Sequence, residues 1–324
     1  MGIHRPAVPH LAGRAAALRE FGFRPHEAAW LTLVCLHSGF FTRTQFTEHH
    51  RCSTKTTHAF VHRLVDAGVA RERPMPGAAT RLRYTHVYDR RLYRALGIEY
   101  VRHRRTAGDV VLFRRLLSFD HVIRHPRLPW LATEAEKVAH FEARGIRRVL
   151  LPSRVFGGAA QRTRRYFALN LPIAADDRSA TFVYADPGRE TDTELRSWAK
   201  SHRHLWARLR ALGTEVHVAG VARTLVKQHA LSRRIAAWTN SPAGQPLTPE
   251  EWETLAAADA DLDIAIATGD PRACARWGGF NPCRRLVIGL RKRADLEDSG
   301  AAIAPRIDHY SMHRADHLGP IGLA

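Results

Sequence analysis

The chain has 324 residues, 45% of them hydrophobic and 25% charged, enough for more than one packed unit. Its formal net charge is +19, carried by 45 arginines and only five lysines, which disfavours basic partners and suits polyanions such as nucleic acid. Residues 1–105 hold 18 Lys/Arg against 7 Asp/Glu, so more than half of the excess sits in the first third. By contrast, residues 248–270 hold seven acids and no Lys or Arg. No apolar run approaches the 18 residues of a membrane span, and the start lacks a signal-peptide apolar core, so a cytoplasmic location with no membrane partner is expected. Cys35, Cys52, Cys274 and Cys283 have no disulfide or metal-ligand spacing and are expected as free or buried thiols.

Residues 1–23, with Pro6, Pro9 and Gly13, read as a loose basic arm. From Pro25 to Leu36 apolar residues fall on most faces, which predicts a buried helix stopped at Gly39. Thr42 caps a second helix running to about His49, with Phe46 inward. Arg51-Cys52 makes a tight turn, and Ser53 caps a third helix with a core stripe of Phe60, Val61, Leu64 and Val65. Gly68 supplies its left-handed stop. Val69–Arg73 and Arg81–Tyr88 then read as two strands of a ribbon, and Asp89–Leu96 as a closing helix. This succession is that of a winged helix-turn-helix, a unit shaped to place one helix in the DNA major groove.

That geometry nominates Ser53, Thr54, Lys55, Thr56, Thr57 and His58 for the groove. Thr methyls meet thymine, while hydroxyls and Lys reach bases or phosphates. Arg71, Arg73, Arg81 and Arg83 flank the wing. Arg43, Arg51, Arg63 and the basic run 102–105 are expected to position the protein without reading sequence.

Further on, an apolar helix (Val110, Val111, Phe113, Leu116, Leu117, Val122) is expected to brace the protein or support a homodimer, and Pro126 and Pro129 mark a linker. Thr133-Glu134-Ala135-Glu136 is a capping box for a helix ended by Gly145. Strands are predicted at 147–151, 166–171, 181–185 and 215–221, with helices over 192–212 and 224–238. Thr248-Pro249-Glu250-Glu251 opens another helix, and beyond Leu290 periodicity fades into a tail expected to be partly disordered.

The run Leu64-Val65-Asp66-Ala67-Gly68-Val69 and the stretch Phe182-Val183-Tyr184-Ala185-Asp186-Pro187-Gly188-Arg189-Glu190-Thr191 before a long helix resemble the replication-relaxation family. That family joins a winged helix to a domain related to the PD-(D/E)xK nucleases and is common on plasmids and integrative conjugative elements. The resemblance covers about two thirds of the chain. It implies an α+β or α/β fold: a basic arm (1–23), a winged helix (24–105), a connecting helix and linker (106–130), a degenerate nuclease-like α/β domain (131–245), and an acidic helix with an irregular tail (246–324).

Nuclease chemistry needs an acid on one strand and an acid-x-Lys on the next, to hold Mg²⁺ beside a charge-stabilising Lys. Tyr184-Ala185-Asp186 supplies no acid-x-Lys, although Asp176, Asp177, Asp186 and Glu190 remain candidates to gather metal, with Lys200 on the next helix. No P-loop, GxGxxG or Ser/His/Asp spacing appears, so no cofactor and no enzymatic activity are expected. The leading expectation is a double-stranded-DNA-binding transcriptional regulator of a mobile element. The alternatives are a replication or relaxosome accessory factor and a divergent Mg²⁺-dependent nuclease.

Overall fold

A computed structural model describes residues 11, 13–77, 82–157, 162–188, 192–239, 247–293 and 305–318. They form a mixed α+β protein with a five-stranded mixed sheet and two small antiparallel sheets.

The N-terminal unit begins with α1 (Arg14–Arg19), which buries Leu18 completely and ion-pairs Arg14 with Glu136. The expected loose arm is therefore packed where it is described, because its Leu11 and Leu18 are both buried and α1 packs on α2 (Pro25–His37). Pro25 stands at the start of α2, and Glu27 reaches back to the Arg24 amide. The helix is apolar on nearly every face and buried accordingly. Its Trp30 meets Phe41, Phe46 and Phe119 edge-on, at ring distances of 5.2–5.5 Å. His50, at the end of the next helix, is buried against Trp30 and Phe46.

Gly39 adopts φ +78°, and a Cβ there would lie 2.1 Å from the His103 carbonyl oxygen, so only glycine fits between α2 and the next strand. That strand, β1 (Phe40–Thr42), is too short to show alternation and was not foreseen. Thr42 ends it and caps α3 (Arg43–His50): its hydroxyl accepts from the Gln45 amide while Gln45 accepts from the Thr42 amide. Arg51 turns the chain at φ 47°, and Ser53 caps α4 (Thr54–Asp66). Phe60, Val61 and Leu64 of α4 are buried as expected, whereas Val65 is 40% exposed and lies off the stripe. Strands β2 (Ala70–Pro74) and β3 (Arg83–Val87) pair antiparallel, and β1 joins β3 on its far side, giving the order β1-β3-β2. The ribbon thus has three strands, not two. Helix α5 (Arg90–Ala95), capped by Asp89, closes the unit.

A short 3₁₀ turn over Arg102–Arg104 leads into α6 (Asp109–Arg124). Ten consecutive-turn residues of α6, from Leu112 to Ile123, are buried, because the helix packs on α2, α3 and β1 on one side and on the large sheet on the other. One apolar core runs through it without a break. Helix α6 therefore braces the two halves.

The large sheet contains β4 (Trp130–Leu131), β7 (Ile173–Ala175), β8 (Ser179–Asp186), β9 (Glu215–Ala222) and β10 (His309–Arg314) in the order β10-β9-β8-β7-β4. The three strands β8, β9 and β10 are parallel, and β7 and β4 are antiparallel to their neighbours. Helix α7 (Glu134–Ala143) has the predicted Thr133/Glu136 capping box. Helices α8 (Asp192–Ala211) and α9 (Leu225–Thr239) match their predicted spans closely.

The strand expected over 147–151 is instead a 3₁₀ turn at Arg148–Leu150, since a short apolar run does not distinguish the two. The strand expected over 166–171 ends where Phe167 takes φ 50°. The real strand, β6 (Thr163–Tyr166), lies upstream and pairs with β5 (Ser153–Phe156) as an exposed hairpin. Helices α10 (Pro249–Thr268) and α11 (Phe280–Arg293) pack on each other around a second small core. Part of the tail expected to be irregular forms β10, an edge strand of the main sheet. The rest of that expectation, at 294–304 and 319–324, falls outside the described residues.

Candidate nucleic-acid interface

The 13-residue helix α4 is anchored by its apolar side and open on the other. At its N-terminus the Ser53 hydroxyl accepts from the Thr56 amide at 3.1 Å, satisfying one of the orphan donors of the first turn. Ser53, Thr54, Lys55 and His58 are exposed, and so are Arg51 and His62. This tip combines hydroxyls, a cation and the positive end of the helix dipole. Among the described residues nothing buries these tip side chains.

Thr57, expected in the groove, is turned away from it. It is fully buried, with its hydroxyl 2.8 Å from that of Thr47 and 3.3 Å from the Ser53 carbonyl. One residue beyond Thr56, the helical rotation turns its side chain toward α3, so it fixes the α3–α4 turn and touches no ligand.

Three of the nominated arginines are already engaged. Arg43 donates to one Glu72 oxygen at 2.8 Å, ion-pairs with the other at 2.7 Å, and donates to the His58 ring at 2.8 Å, tying α3, α4 and β2 together. Arg83 also faces Glu72, at 3.2 Å. Arg63 pairs with Glu27, whose side chain is only 3% exposed. Glu72 was missed by sequence reasoning. Its signal is a single acid alternating with Arg71 and Arg73 on a basic strand, which points it to the ribbon's other face. Arg71 lies 4.5 Å over the Tyr88 ring, and Arg73 is exposed without an ion pair to a described residue. Arg81 lies outside the described residues. In the 102–105 run, Arg102 and Arg105 are exposed, but His103 is buried and its Nδ1 faces the Cys35 carbonyl at 3.1 Å.

The carboxylates considered for a metal do not converge. Asp176 accepts from the Arg178 and Ser179 amides at 2.8 and 2.9 Å and so caps the turn before β8, while Asp186 ends that strand. The length of β8, from Ser179 beside Asp176 to Asp186, separates them by roughly 23 Å. Burial raises the Asp186 carboxyl above its usual range, partly offset by the Gly188 amide, which donates to it at 2.7 Å. Glu190 lies outside the described residues. Among the described residues no cluster of three His, Cys, Asp or Glu side chains is arranged to hold a metal ion. Cys274 and Cys283 are buried in the α10–α11 core. The two histidines of α8 diverge, His202 lying among aromatic rings and His204 against Asp259.

Taken together, the described elements define a mixed α+β protein in which no helix is long and apolar enough to cross a membrane. The chain matches no family model, no curated protein and no solved structure.

Proposed function

We propose that the chain is a sequence-specific double-stranded-DNA-binding protein whose residues 24–105 act as a winged helix-turn-helix. In this reading α3 and α4 are the helix pair and β2–β3 is the wing. The observation that carries it is the exposed Ser53/Thr54/Lys55/His58 tip of α4, held rigidly from behind by Thr57 and by the Arg43–Glu72 pair. Arg51 and Arg73 beside it add cations that have no carboxylate partner among the described residues. The resemblance to the replication-relaxation family supports a role on a mobile element, as a transcriptional regulator whose second half is a scaffold for self-association.

Selection from a random duplex pool tests the reading directly. Enrichment of one motif is the expected result, and recovery of unbiased sequence would overturn it. With that motif in hand, Lys55→Ala combined with Arg73→Ala is expected to weaken binding by at least tenfold. The slope of log K against log salt should fall by about 1.8, since two phosphate-directed cations are lost. Unchanged affinity and slope would remove these residues from the interface. Supercoiled plasmid incubated with Mg²⁺ is expected to remain intact with the wild type; cutting that Asp186→Ala abolishes would establish the nuclease alternative.

A further inference from the structure

Away from α4, the most conspicuous charge lies on the β5–β6 hairpin. Its register sets Arg154 directly opposite Arg165, with Arg164 opposite Val155. Like charges facing each other across an antiparallel pair repel. None of these three arginines has an ion pair with a described carboxylate, so nothing described within the chain relieves that repulsion. On the same ribbon Val155 and Phe156 are 45% and 37% exposed, which sets apolar surface among the cations.

Three clefts border the hairpin: the largest, about 700 Å³, lies on the Val155 and Arg164 side against α8 and α10, and two smaller ones share Arg114. The first of the smaller pair, about 260 Å³, lies between the hairpin and α6 and is lined by Arg102, Arg114, Arg115 and Arg165, with Phe156 and Tyr166 in its wall. The second of the pair, about 220 Å³, continues past Arg114 to Arg154, Tyr184 and Trp198. The two share Arg114 and the 167–171 loop. Two acids line them, Glu134 and Glu194, and Glu134 already accepts the Tyr166 amide at 2.7 Å. Five arginines therefore face two carboxylates.

Cavities of a few hundred Å³ take one small group at a time and exclude a base-paired helix. Cations along a narrow track, interleaved with aromatic faces, are the chemistry that holds an unpaired strand: guanidinium groups take phosphates and rings take bases. We propose that the β5–β6 hairpin and the two smaller clefts beneath it bind single-stranded DNA, as a second site separate from the duplex-reading tip of α4. The inference extends the DNA-binding reading, yet it rests on different residues and is tested apart from it.

The test is fluorescence anisotropy on the full chain, with labelled oligothymidylate, oligouridylate and the selected duplex, across a salt series. Arg154→Ala with Arg165→Ala is expected to weaken oligothymidylate binding by about tenfold or more and to lower its salt slope by about 1.4, for two phosphate contacts on a single strand. Phe156→Ala is expected to weaken it about tenfold with the slope unchanged, because stacking carries no counterion release. Both variants should keep duplex affinity within about twofold, which also reports that they fold, while Lys55→Ala/Arg73→Ala should show the converse. The proposal is overturned if the wild type ignores oligothymidylate, if it prefers oligouridylate, or if the hairpin variants bind the single strand like wild type. Parallel loss of duplex and single-strand binding in the hairpin variants would also overturn it, by making the hairpin part of the duplex site. Unchanged duplex affinity in Lys55→Ala/Arg73→Ala would sink the α4 assignment and leave the single-strand site standing.

Discussion

Acidification from pH 7 to about 4.5 is expected to unfold this protein cooperatively, with buried histidines as the main cause. Burial pushes His103 and His121 down to about 3 and His86 and His202 down to about 4. For His103 and His202 the surroundings are specific. His103 lies near Arg115 and Lys137, and His202 is enclosed by Phe182, Trp198 and Trp206. In the unfolded chain each imidazole returns to about 6.5. The folded value lies below the unfolded one, so the unfolded state takes up the proton first. Stability is therefore whole above about pH 6.5 and falls as pH drops toward 4 and then 3.

Each histidine loses about 1.4 kcal/mol per pH unit inside that window. Four of them lose on the order of 10 kcal/mol by about pH 4.5, which matches the whole stability of an ordinary domain. Asp120 acts in the same direction: burial alone would raise it, but hydrogen bonding from His313 and the charges of His317 and Arg124 hold it below the usual range. Asp186 and Asp263, raised by burial, oppose the trend more weakly. Circular dichroism against pH checks the expectation. His121→Phe is the sharpest probe, because neither ring nitrogen of His121 has a hydrogen-bond partner among the described residues and the ring packs on Trp130. Its acid midpoint should fall by several tenths of a pH unit. A wild type still folded at about pH 3.5, or a midpoint that His121→Phe leaves in place, would refute the histidine account.

Much of the N-terminal unit was legible because its determinants are local. The Thr42/Gln45 box, the Ser53 cap and the glycine stops lie within a few residues of the ends they define. What the sequence hid depends on distant partners. Strand β10 reads His-Tyr-Ser-Met-His-Arg, with no apolar alternation, because it is an edge strand recruited by backbone pairing to β9. It is also held by His313, which lies 2.6 Å from Asp120, 193 positions earlier. Lys137 would pass for a solvated helix residue, yet it is buried and donates to the Leu171 carbonyl at 2.8 Å, and burial lowers it to about 8. At the candidate interface the pattern showed which residues are polar on α4 but not their rotation. Thr57 and Lys55 are equally polar in sequence, and only the packing of α3 separates them. Alternation with Arg71 and Arg73 marks the face Glu72 takes, but not its partner Arg43, 29 residues away.

Asp259→Ala is expected to destabilise the protein by about 3–5 kcal/mol, the cost of stripping the partner from buried charge. Asp259 sits on α10, where one oxygen accepts from Arg203 at 2.6 Å and lies 3.4 Å from His204, both on α8. The other accepts from Arg291 on α11. Burial alone would raise its carboxyl, but these hydrogen bonds and the charge of Arg203 hold it well below the ordinary range. The Arg203 side chain is 4% exposed, so without Asp259 its guanidinium loses its ion-pair partner and keeps only the more distant charge of Asp263. Because α10 and α11 have their own small core, the loss should appear first where they dock on α8. Limited proteolysis should cut in the α10–α11 region before the main sheet melts, and the thermal midpoint should drop by on the order of 5–10 °C. Asp259→Leu combined with Arg203→Leu and Arg291→Met should recover most of that loss, since removing all the charges removes the desolvation penalty along with the attraction. A single variant within about 0.5 kcal/mol of wild type, or a triple variant no better than the single one, would show that this hub does not hold the helical cap to the sheet.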